Sequence, residues 1–475
     1  MAINREGLAN SFRWDPADTP EIDTPHRRVQ TALPAPDAIQ ELRKAADLFP
    51  EVNCYQAPVV WERAEGYQVF DCSGNCWIDF SSTAVMTNTG HGHPRVREAI
   101  RKHAEKELLA QFSFHSTVRS ELAEHLLRMA PDSMEKVFFW TTGSEAIEAA
   151  FRAARQWGQS REPDRIRVAS LEQDYHGCTL AAHQLSGVGA EKEWLPDPDG
   201  QIHRLPFVAA GEPGRIQADH EWDQFVVDAA SCAGLLGNET AAVMIETFQG
   251  WGALQLDSGY VQALRRWTRD NGALLIFDEV QTGFGRTGLM WGHEHYGVKP
   301  DLLCIGKGIT SSLPLAAVLG PGKVLDVFAP GEITTTHAGH PLSCAAAMAN
   351  LRVIEEEKLV EYAGQMGDVL GPGLRELQDA FPGYVDRISG AGMLWAIHLR
   401  EPGTGQPSER LARQLVWEIV RQGVMVFHTN RSTIKVCPPL ITPEAAIREG
   451  INAVGDALTA LARWDDGENP KPSDA

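Results

Sequence analysis

The feature that most constrains this fold is a series of short apolar segments that alternate with helix-like patterns between residues 137 and 320. Such alternation is typical of a mostly parallel sheet, because parallel strands need crossover helices and are buried on both faces. The predicted strands are Val137–Trp140, Arg167–Leu171, Ala242–Ile245, Ala273–Phe277, Leu302–Ile305 and Leu315–Leu319. The sequence therefore predicts an α/β domain with its ligand site at the carboxyl ends of the strands.

The pattern changes on both sides of this region. A hairpin is predicted across the turn sequence Asp71–Asn75. Toward the C-terminus, a helix-like stretch from Pro341 is followed by strand-like Leu394–Leu399 and Val424–Phe427, and a closing helix begins at Thr442-Pro443. We therefore expect a second, smaller α+β domain. The predicted division is an N-terminal arm over 1–35, a small domain over 36–79 and 346–475, and a large domain over 80–345.

Charge and cysteine content exclude several partners. With 43 basic and 63 acidic residues the formal net charge is −20, which disfavours nucleic acid and anionic membrane surfaces. No apolar run approaches the ~20 residues of a bilayer span. The eight cysteines are spread along the chain, which predicts reduced thiols in a cytoplasmic protein. Cys72 and Cys76 have no second ligand pair nearby, so no metal site is predicted.

The segment Thr141–Ser144 follows the strand that ends at Trp140 and opens a helix with an apolar face. Small residues at a helix N-terminus leave backbone N–H groups free beside the positive end of the helix dipole, where phosphate binds well. The same residues also suit an ordinary helix cap without a ligand. Taken alone, this segment leaves both interpretations open.

Two reactive side chains follow buried strands. Asp278 ends the most apolar strand of the chain, and Lys307 stands between two glycines just past Leu302–Ile305. A carboxylate at the carboxyl end of a parallel strand lies where α/β sheets bind ligands. A lysine held partly out of water there becomes a nucleophile. Each residue is also compatible with an ordinary solvated position.

A glycine-rich turn, Gly283–Gly288, matches the G-x-G-x-x-G pattern of dinucleotide sites. The residues after it do not continue as the helix that holds the pyrophosphate in such sites, so nicotinamide binding is not indicated. The pairs His91/His93 and His293/His295 lack the helical spacing of metal-binding histidines and are interpreted as structural.

The order and spacing of the motifs are more specific than any one of them. Beyond about the first 40 residues, the chain resembles class III (ω-) aminotransferases, which are fold-type I enzymes dependent on pyridoxal 5′-phosphate (PLP). The segments that carry the resemblance are Asp79-Phe80, Gly90–Pro94, Thr142–Ala146, Tyr175–Gly177, Leu274–Leu319, and Thr336 with Gly339–Leu342. The resemblance implies a large domain with a mostly parallel seven-stranded sheet between helices, and a smaller α+β domain.

For the cofactor, the resemblance implies a covalent link and a charge partner. Lys307 would form the Schiff base with PLP and later move the proton between substrate and cofactor carbons, and Asp278 would pair with the pyridine nitrogen. Gln281 would hydrogen-bond the phenolic oxygen. Val280 and Tyr175 would cover the two faces of the ring.

Other matching positions would complete the site. The resemblance places Gly143 and Ser144 at the phosphate and His176 and Glu246 near the cofactor, although the residues after Glu246 depart from the usual Glu-Pro. Thr336 matches a threonine that reaches the phosphate from the partner subunit. This implies a homodimer with an active site shared across the interface, and leaves open whether dimers pair into tetramers.

The substrate end departs from relatives that act on 4-aminobutyrate. Their arginine for the α-carboxylate is Lys435 here, and their arginine for the distal carboxylate is Cys178. Trp251 replaces the glutamate that neutralises the first arginine. Lysine lacks the bidentate fork of arginine, and cysteine cannot pair with a carboxylate. A 4-aminobutyrate carboxylate would therefore be buried without a good partner.

The shape of the predicted pocket changes as well. Ala84, beside Val85, stands where those relatives carry a larger aliphatic residue, and Trp251 adds apolar area. A roomier, less cationic pocket favours an amine with an apolar or neutral polar body. The sequence thus predicts a ping-pong transaminase that moves an amino group from a primary amine or ω-amino compound to a 2-oxo acid such as pyruvate. Another arginine, such as Arg431, remains an alternative partner for a carboxylate.

Two other functions share most of these motifs. A racemase, epimerase or decarboxylating transaminase of the same family would also need Lys307 and Asp278, so only product analysis separates it from a simple transaminase. A non-catalytic scaffold is disfavoured, because Lys307, Asp278, Gln281 and the phosphate segment are all retained.

Overall fold

The computed structural model describes residues 12, 14–50, 56–187, 194–195, 200–211, 216 and 218–465. The first part of the predicted arm and the polar tail after residue 465 lie outside the described residues. Two units divide the chain: one runs up to His93 and resumes at Tyr362, and the other is Pro94–Glu361. The larger unit retains the helix Pro341–Glu356 because this helix packs against Pro94–Ala104 and Thr117–Met129. Its limits therefore differ from the predicted 80–345.

The larger unit is built on a seven-stranded sheet. Its strands, in spatial order, are Lys136–Trp140, Ala316–Gly320, Leu302–Ile305, Leu274–Asp278, Thr240–Glu246, Arg167–Leu171 and Ile202–Leu205. Ala316–Gly320 runs antiparallel to both of its neighbours, and the other strands run parallel to one another. The six predicted strands are confirmed. Ile202–Leu205 was not predicted, because its His203 and Arg204 interrupt the apolar pattern of this edge strand.

Helices and short elements complete this unit. Its helices are Pro94–Ala104, Thr117–Met129, Gly143–Gln159, Leu180–Leu185, Asp219–Cys232, Ser258–Asp270, Gly322–Leu325 and Pro341–Glu356. It also has two 3-10 turns, Gly292–Tyr296 and Lys307–Ile309. The short strands Phe248–Gln249 and Leu254–Gln255 pair with each other. Gly143–Gln159 buries an alanine-rich face in the core formed with the sheet. At Gly158 a Cβ would lie only 2.2 Å from Arg165 O, so the C-terminal end of this helix approaches its neighbours closely.

The smaller unit contains two sheets. The strands of the first sheet follow the order Ile22–Asp23, Arg28–Val29, Cys76–Asp79, Gln68–Phe70 and Arg63–Glu65. A sixth strand, Val424–Met425, also pairs with Cys76–Asp79. The strands of the second sheet follow the order Val385–Ala391, Leu394–Leu399, Thr433–Val436 and Phe427–His428. The helical elements are Pro36–Ala38, Ile39–Leu48, Leu359–Ala380, Glu409–Arg421 and Glu444–Asp465. The predicted hairpin is confirmed, and Asp71 Oδ1 stabilises its turn by accepting the amides of Ser73 and Asn75.

Three sequence-based boundaries need correction. The predicted strand Val424–Phe427 is two short strands that join different sheets, and the closing helix begins at Glu444. The stretch from Pro341 to residue 360 is a helix that ends at Glu356, followed by a second helix. The part of the predicted arm around Ile22–Val29 pairs with this unit's sheet. Among the helices that the structure describes, none is both long and apolar enough to span a membrane.

Candidate active site

Neighbouring parallel strands bring the predicted reactive side chains together. Asp278 is the last residue of its strand and is in register with Glu246 on one side and Cys304 on the other. Lys307 follows three residues after Cys304, directly beyond the end of that strand. Because carboxyl ends of parallel strands meet at one edge of the sheet, Glu246, Asp278 and Lys307 face a common cavity.

That cavity has a volume of about 200 Å³. Its lining residues are Thr142, Gly143, Ser144, Tyr175, His176, Gly177, Glu246, Asp278, Val280, Gln281 and Lys307. They include every residue predicted to contact the cofactor except Thr336, and they belong to one unit of the chain.

The phosphate segment is a capped helix N-terminus. Thr142 caps the helix Gly143–Gln159, accepting the Glu145 amide through Oγ1 at 3.2 Å, while Glu145 Oε2 accepts the amides of Thr141 and Thr142. The amides of Gly143 and Ser144, in the first turn, have no intrahelical acceptor. The cap and the anion site therefore coexist, because they use different N–H groups.

Lys307 occupies a strained turn. Its φ angle is +44°, in the left-handed region that side chains other than glycine rarely adopt. Asn350, buried in the helix Pro341–Glu356, holds the turn by donating through Nδ2 to the carbonyls of Gly308 and Ile309 at 2.8 and 3.1 Å. The strained backbone thus aims the half-buried lysine at the cavity.

Asp278 is held on both carboxylate oxygens. Its Oδ1 accepts the Val280 amide at 3.0 Å, and its Oδ2 lies 2.8 Å from His176 Nδ1. Burial by itself lowers the pKa of His176, but the contacts with Asp174 and Asp278 outweigh it and raise this pKa to about 10. His176 is therefore a cation at neutral pH, and its charge faces the Asp278 carboxylate.

Glu246 is the contrasting acid of the site. Its Oε2 accepts the Tyr175 amide at 2.7 Å. Burial, followed by the charge of Asp174, raises the pKa of Glu246 to about 8. Glu246 therefore keeps its proton at neutral pH while Asp278 pairs with a cation, so the two adjacent strand ends carry different charges.

Glycines bring the loops around the cavity close together. At Gly177, whose φ angle is +127°, a Cβ would lie 2.1 Å from Ser144 Oγ. At Gly143 a Cβ would lie 2.8 Å from Val280 Cγ1. Side chains at these two glycines would push the phosphate segment away from the Tyr175–Gly177 loop and from Val280.

The residues predicted for the substrate end belong to both units of the chain. Cys178 is exposed, and its Sγ lies 3.2 Å from the hydroxyl of Tyr175, a residue that is 45% exposed. Trp251 is half-buried in the same unit. In the other unit, Lys435 is only 1% exposed on the strand Thr433–Val436, and Arg431 is half-buried just before it.

Ala84 and Val85 belong to a left-handed turn in that other unit. All four residues of Ser82–Val85 have positive φ angles, from 45° to 67°. Such a turn costs about 1–2 kcal/mol per residue without glycine. Asp79 Oδ1 anchors its start by accepting the amides of Ser81 and Ser82 at 2.8 and 3.1 Å.

Thr336 lies at a second cavity of about 270 Å³. The residues around it are Ala110, Gln111, Phe112, Phe114, Thr336, His337, Ala338 and His340. Arg119 connects the two loops, because its guanidinium donates to the carbonyls of Phe112 and Phe114 and to those of Ala338 and Gly339. Phe114 is 77% exposed, so this surface is markedly apolar.

Sequence reasoning missed three residues that hold the site together: Asn350, Arg119 and Asp174. Asn350 could have been noticed as a polar residue within an apolar helix, and Asp174 as a carboxylate directly before Tyr175-His176-Gly177. For Arg119 no local signal exists, because its partners are main-chain carbonyls more than 200 residues away as well as nearby ones.

The cavity has the features that PLP requires. The helix N-terminus at Gly143 and Ser144 suits the phosphate, the Asp278 carboxylate suits a protonated pyridine nitrogen, and the amine of Lys307 suits the aldehyde. The Gly177–Ser144 approach leaves no room for a Cβ, as expected where a small anion is closely surrounded by backbone. The residues present therefore fit this cofactor.

Comparison with known proteins gives the same assignment. A model of the family Aminotransferase class-III matches residues 51–458. The chain is 31% identical over 408 residues to the probable 4-aminobutyrate aminotransferase of Bacillus subtilis. This match covers 84% of the chain and 92% of the relative. An omega transaminase from Pseudomonas jessenii, solved with PMP, has a TM-score of 0.81 at 27% identity and covers 91% of this chain and 99% of its own. A PLP-bound amine transaminase from an uncultivated Pseudomonas species has a TM-score of 0.77 at 29% identity, covering 84% and 94%.

Proposed function

The chain belongs to the class III aminotransferases, which depend on PLP, and from this premise we propose that its amino donor is a primary amine or ω-amino compound with a neutral body. The acceptor is a 2-oxo acid such as pyruvate, and the two substrates react in turn. The family includes enzymes named for 4-aminobutyrate as well as for amines, so the donor class is decided by this chain's own pocket.

The cofactor-site residues take the following roles in this proposal. PLP, when bound, supplies an electron sink for the donor's carbon. Asp278 holds a proton at the pyridine nitrogen, and Lys307 Nζ takes the proton from the donor's carbon and returns it. Val280 and Tyr175 would hold the ring from its two faces, and Gln281 would hydrogen-bond its phenolic oxygen. Gly143 and Ser144 hold the phosphate.

The observation that carries the donor assignment is the state of Cys178. Its thiol pairs with the Tyr175 hydroxyl at 3.2 Å, so a neutral contact stands directly beside the cavity, where 4-aminobutyrate relatives carry an arginine. The described lining of the cavity includes two acidic side chains and no arginine. A distal carboxylate would therefore find no bidentate cation beside it, whereas an apolar or neutral polar body needs none.

We also propose a homodimer that uses the apolar surface around Thr336. Four exposed or partly exposed side chains of one loop form its apolar part: Leu108, Leu109, Phe112 and Phe114. Thr336 is exposed on the facing loop. In this arrangement the hydroxyl of Thr336 reaches the phosphate site of the partner subunit, and pairing covers the apolar side chains.

Exchange of one cysteine tests the donor assignment. Cys178→Arg would place a guanidinium beside the cavity, and we expect kcat/KM for 4-aminobutyrate to rise at least about tenfold, within the 1.5–3 kcal/mol range of a charge-assisted hydrogen bond. The value for a simple alkyl or arylalkyl amine should fall. Cys232→Arg, at another exposed cysteine at the end of the helix Asp219–Cys232, is the matched control and should change neither value.

A wild-type enzyme that already prefers 4-aminobutyrate over neutral amines would overturn the donor assignment. Retention of the amino group on the donor, with inversion of its configuration, would instead indicate a racemase. Chiral analysis of the recovered donor distinguishes these results.

A further inference from the structure

His176 lies between two buried carboxylates. Its Nδ1 is 2.8 Å from Asp278 Oδ2, its Nε2 is 3.5 Å from Asp174 Oδ2, and the three side chains are at most 6% exposed. Asp278 already has a proposed role at the cofactor. Asp174 has none, and it does not line the cavity.

Asp174 is fixed in place but only partly satisfied. Its Oδ2 lies 3.3 Å from the Leu171 amide and 3.4 Å from the Glu246 amide, and its main-chain carbonyl accepts the Gly187 amide at 2.8 Å. Its Oδ1 is fully buried and has no hydrogen-bond partner among the described residues. A buried carboxylate in that condition is stabilised by a nearby cation, and the imidazole of His176 is the group in contact.

The main chain of His176 is also held in place by hydrogen bonds. The His176 amide donates to Ser186 Oγ at 2.9 Å, and Ser186 Oγ donates to the Ala182 carbonyl at 2.9 Å. Within the described residues Nε2 makes no hydrogen bond, and the acidic oxygen in contact with it is Asp174 Oδ2 at 3.5 Å. Asp174 is thus the group whose charge faces a proton on Nε2.

We propose that Asp174 is a positioning residue that acts on Asp278 through His176, holding the imidazole as a cation with Nδ1–H directed at Asp278 Oδ2. The cation fixes the orientation of the Asp278 carboxylate toward the cavity. This inference rests on the proposed role of Asp278 at the pyridine nitrogen. It adds to the site a residue that never touches cofactor or substrate.

The surrounding charges favour this arrangement. The other titratable groups that interact with Asp174 or Asp278 are Glu246, Tyr260, Glu279, Tyr296 and Cys304. Burial raises the pKa of Glu246 to about 8, and burial also raises those of Tyr260, Tyr296 and Cys304. Glu246, Tyr260, Tyr296 and Cys304 therefore favour their uncharged forms, and burial raises the pKa of Glu279 to about 7. Asp174 and Asp278 are the carboxylates in direct contact with the imidazole.

Replacing Asp174 by its isosteric amide tests the inference. In PLP-loaded protein with labelled histidine, we expect His176, assigned from the resonance missing in His176→Asn, to stay protonated to about pH 10. In Asp174→Asn it should titrate at least about one unit lower, the smallest shift expected when an opposite charge is removed. The upper pKa of the dependence of kcat on pH should fall together with the pKa of His176, while KM for the donor changes little. Glu172→Gln removes a neighbouring exposed carboxylate and should leave the titration unchanged.

Two results would overturn the inference: equal titration of His176 in wild type and Asp174→Asn, or a wild-type His176 that loses its proton near the ordinary value of 6.5. The second result needs no variant, so it decides the matter even where Asp174→Asn does not fold. The titration involves no amino donor. A wrong donor assignment would therefore leave the predicted histidine shift intact, and the two failures can be told apart.

Discussion

The residues of this site fall into two groups that the chain holds in different ways. Glu246, Asp278 and Lys307 stand at strand ends whose positions are set by sheet register and a buried core. Cys178 and Thr336 stand on loops and are exposed. The strand ends carry the residues to which we assign the cofactor chemistry. The loop residues can be exchanged at little cost to the fold, so they are suited to setting which substrate and partner the enzyme accepts.

Removing the lysine at the strand end should have the largest effect. We expect Lys307→Ala to lower kcat at least about a thousandfold, in the upper range for loss of a general acid–base group, and to leave PLP removable by dialysis. Lys299→Ala, at an exposed lysine, should behave like wild type. Steady-state kinetics and the visible spectrum provide the check, and a variant that retained a tenth of the activity would contradict the assigned role.

Packing at the phosphate segment should be nearly as sensitive. In Gly177→Ala the new Cβ would meet Ser144 Oγ at 2.1 Å. Overpacking of about 1–3 kcal/mol corresponds to PLP binding weakened roughly 5- to 150-fold, measured by fluorescence titration. Gly331→Ala is the matched control, because Gly331 also has a positive φ angle but no atom within 4 Å of the added Cβ. Equal PLP affinity in both variants would mean that the Tyr175–Gly177 loop moves freely away from Ser144.

The loop surface should depend on one guanidinium. Arg119→Met removes the donors that join the Phe112–Phe114 loop to the Ala338–Gly339 loop. Each hydrogen bond lost lowers the stability of this surface by about 1 kcal/mol. We therefore expect the dimer dissociation constant, measured by sedimentation, to rise at least about tenfold. Arg128→Met, on the same helix, should leave association unchanged. A monomeric wild-type protein would contradict the proposed interface.

The smallest expected effect is a pH-dependent change in stability. Burial raises the pKa of Glu246 to about 8 from an ordinary 4.5. The protonated Glu246 carboxyl therefore contributes fully to the stability of the fold below pH 4.5, and this contribution is lost as the pH rises through 8. Glu246→Gln should therefore match wild type at pH 4.5 and have a Tm higher by about 2 °C at pH 9. Glu172→Gln should show no such divergence. A lower Tm for Glu246→Gln at pH 9 would show that the ionised carboxylate stabilises the fold.

The two groups also differ in how well the sequence predicted them. Asp278 and Lys307 could be placed because each directly follows an apolar strand, and the order of strands determines which ends meet. The phosphate segment was ambiguous as a pattern, and the structure shows that Thr142 caps the helix while the next two amides have no helical acceptor.

The remaining features depend on contacts between distant segments. Asp174 gains its importance from His176 Nε2 and from a strand 72 residues later, neither of which a local pattern reveals. The left-handed turn Ser82–Val85 contains no glycine to announce it. The chain's division after Glu361, beyond the predicted 345, follows from helix packing and not from composition.

The most direct test of the proposed function is the absorbance spectrum of the PLP-loaded enzyme after adding single donors without any 2-oxo acid. The donors are 4-aminobutyrate, ornithine, alanine, a simple alkyl or arylalkyl amine, and a diamine. We predict that a neutral-bodied amine bleaches the yellow cofactor to its amine form and that 4-aminobutyrate does so far more slowly. Rapid bleaching by 4-aminobutyrate with no reaction of neutral amines would contradict the account.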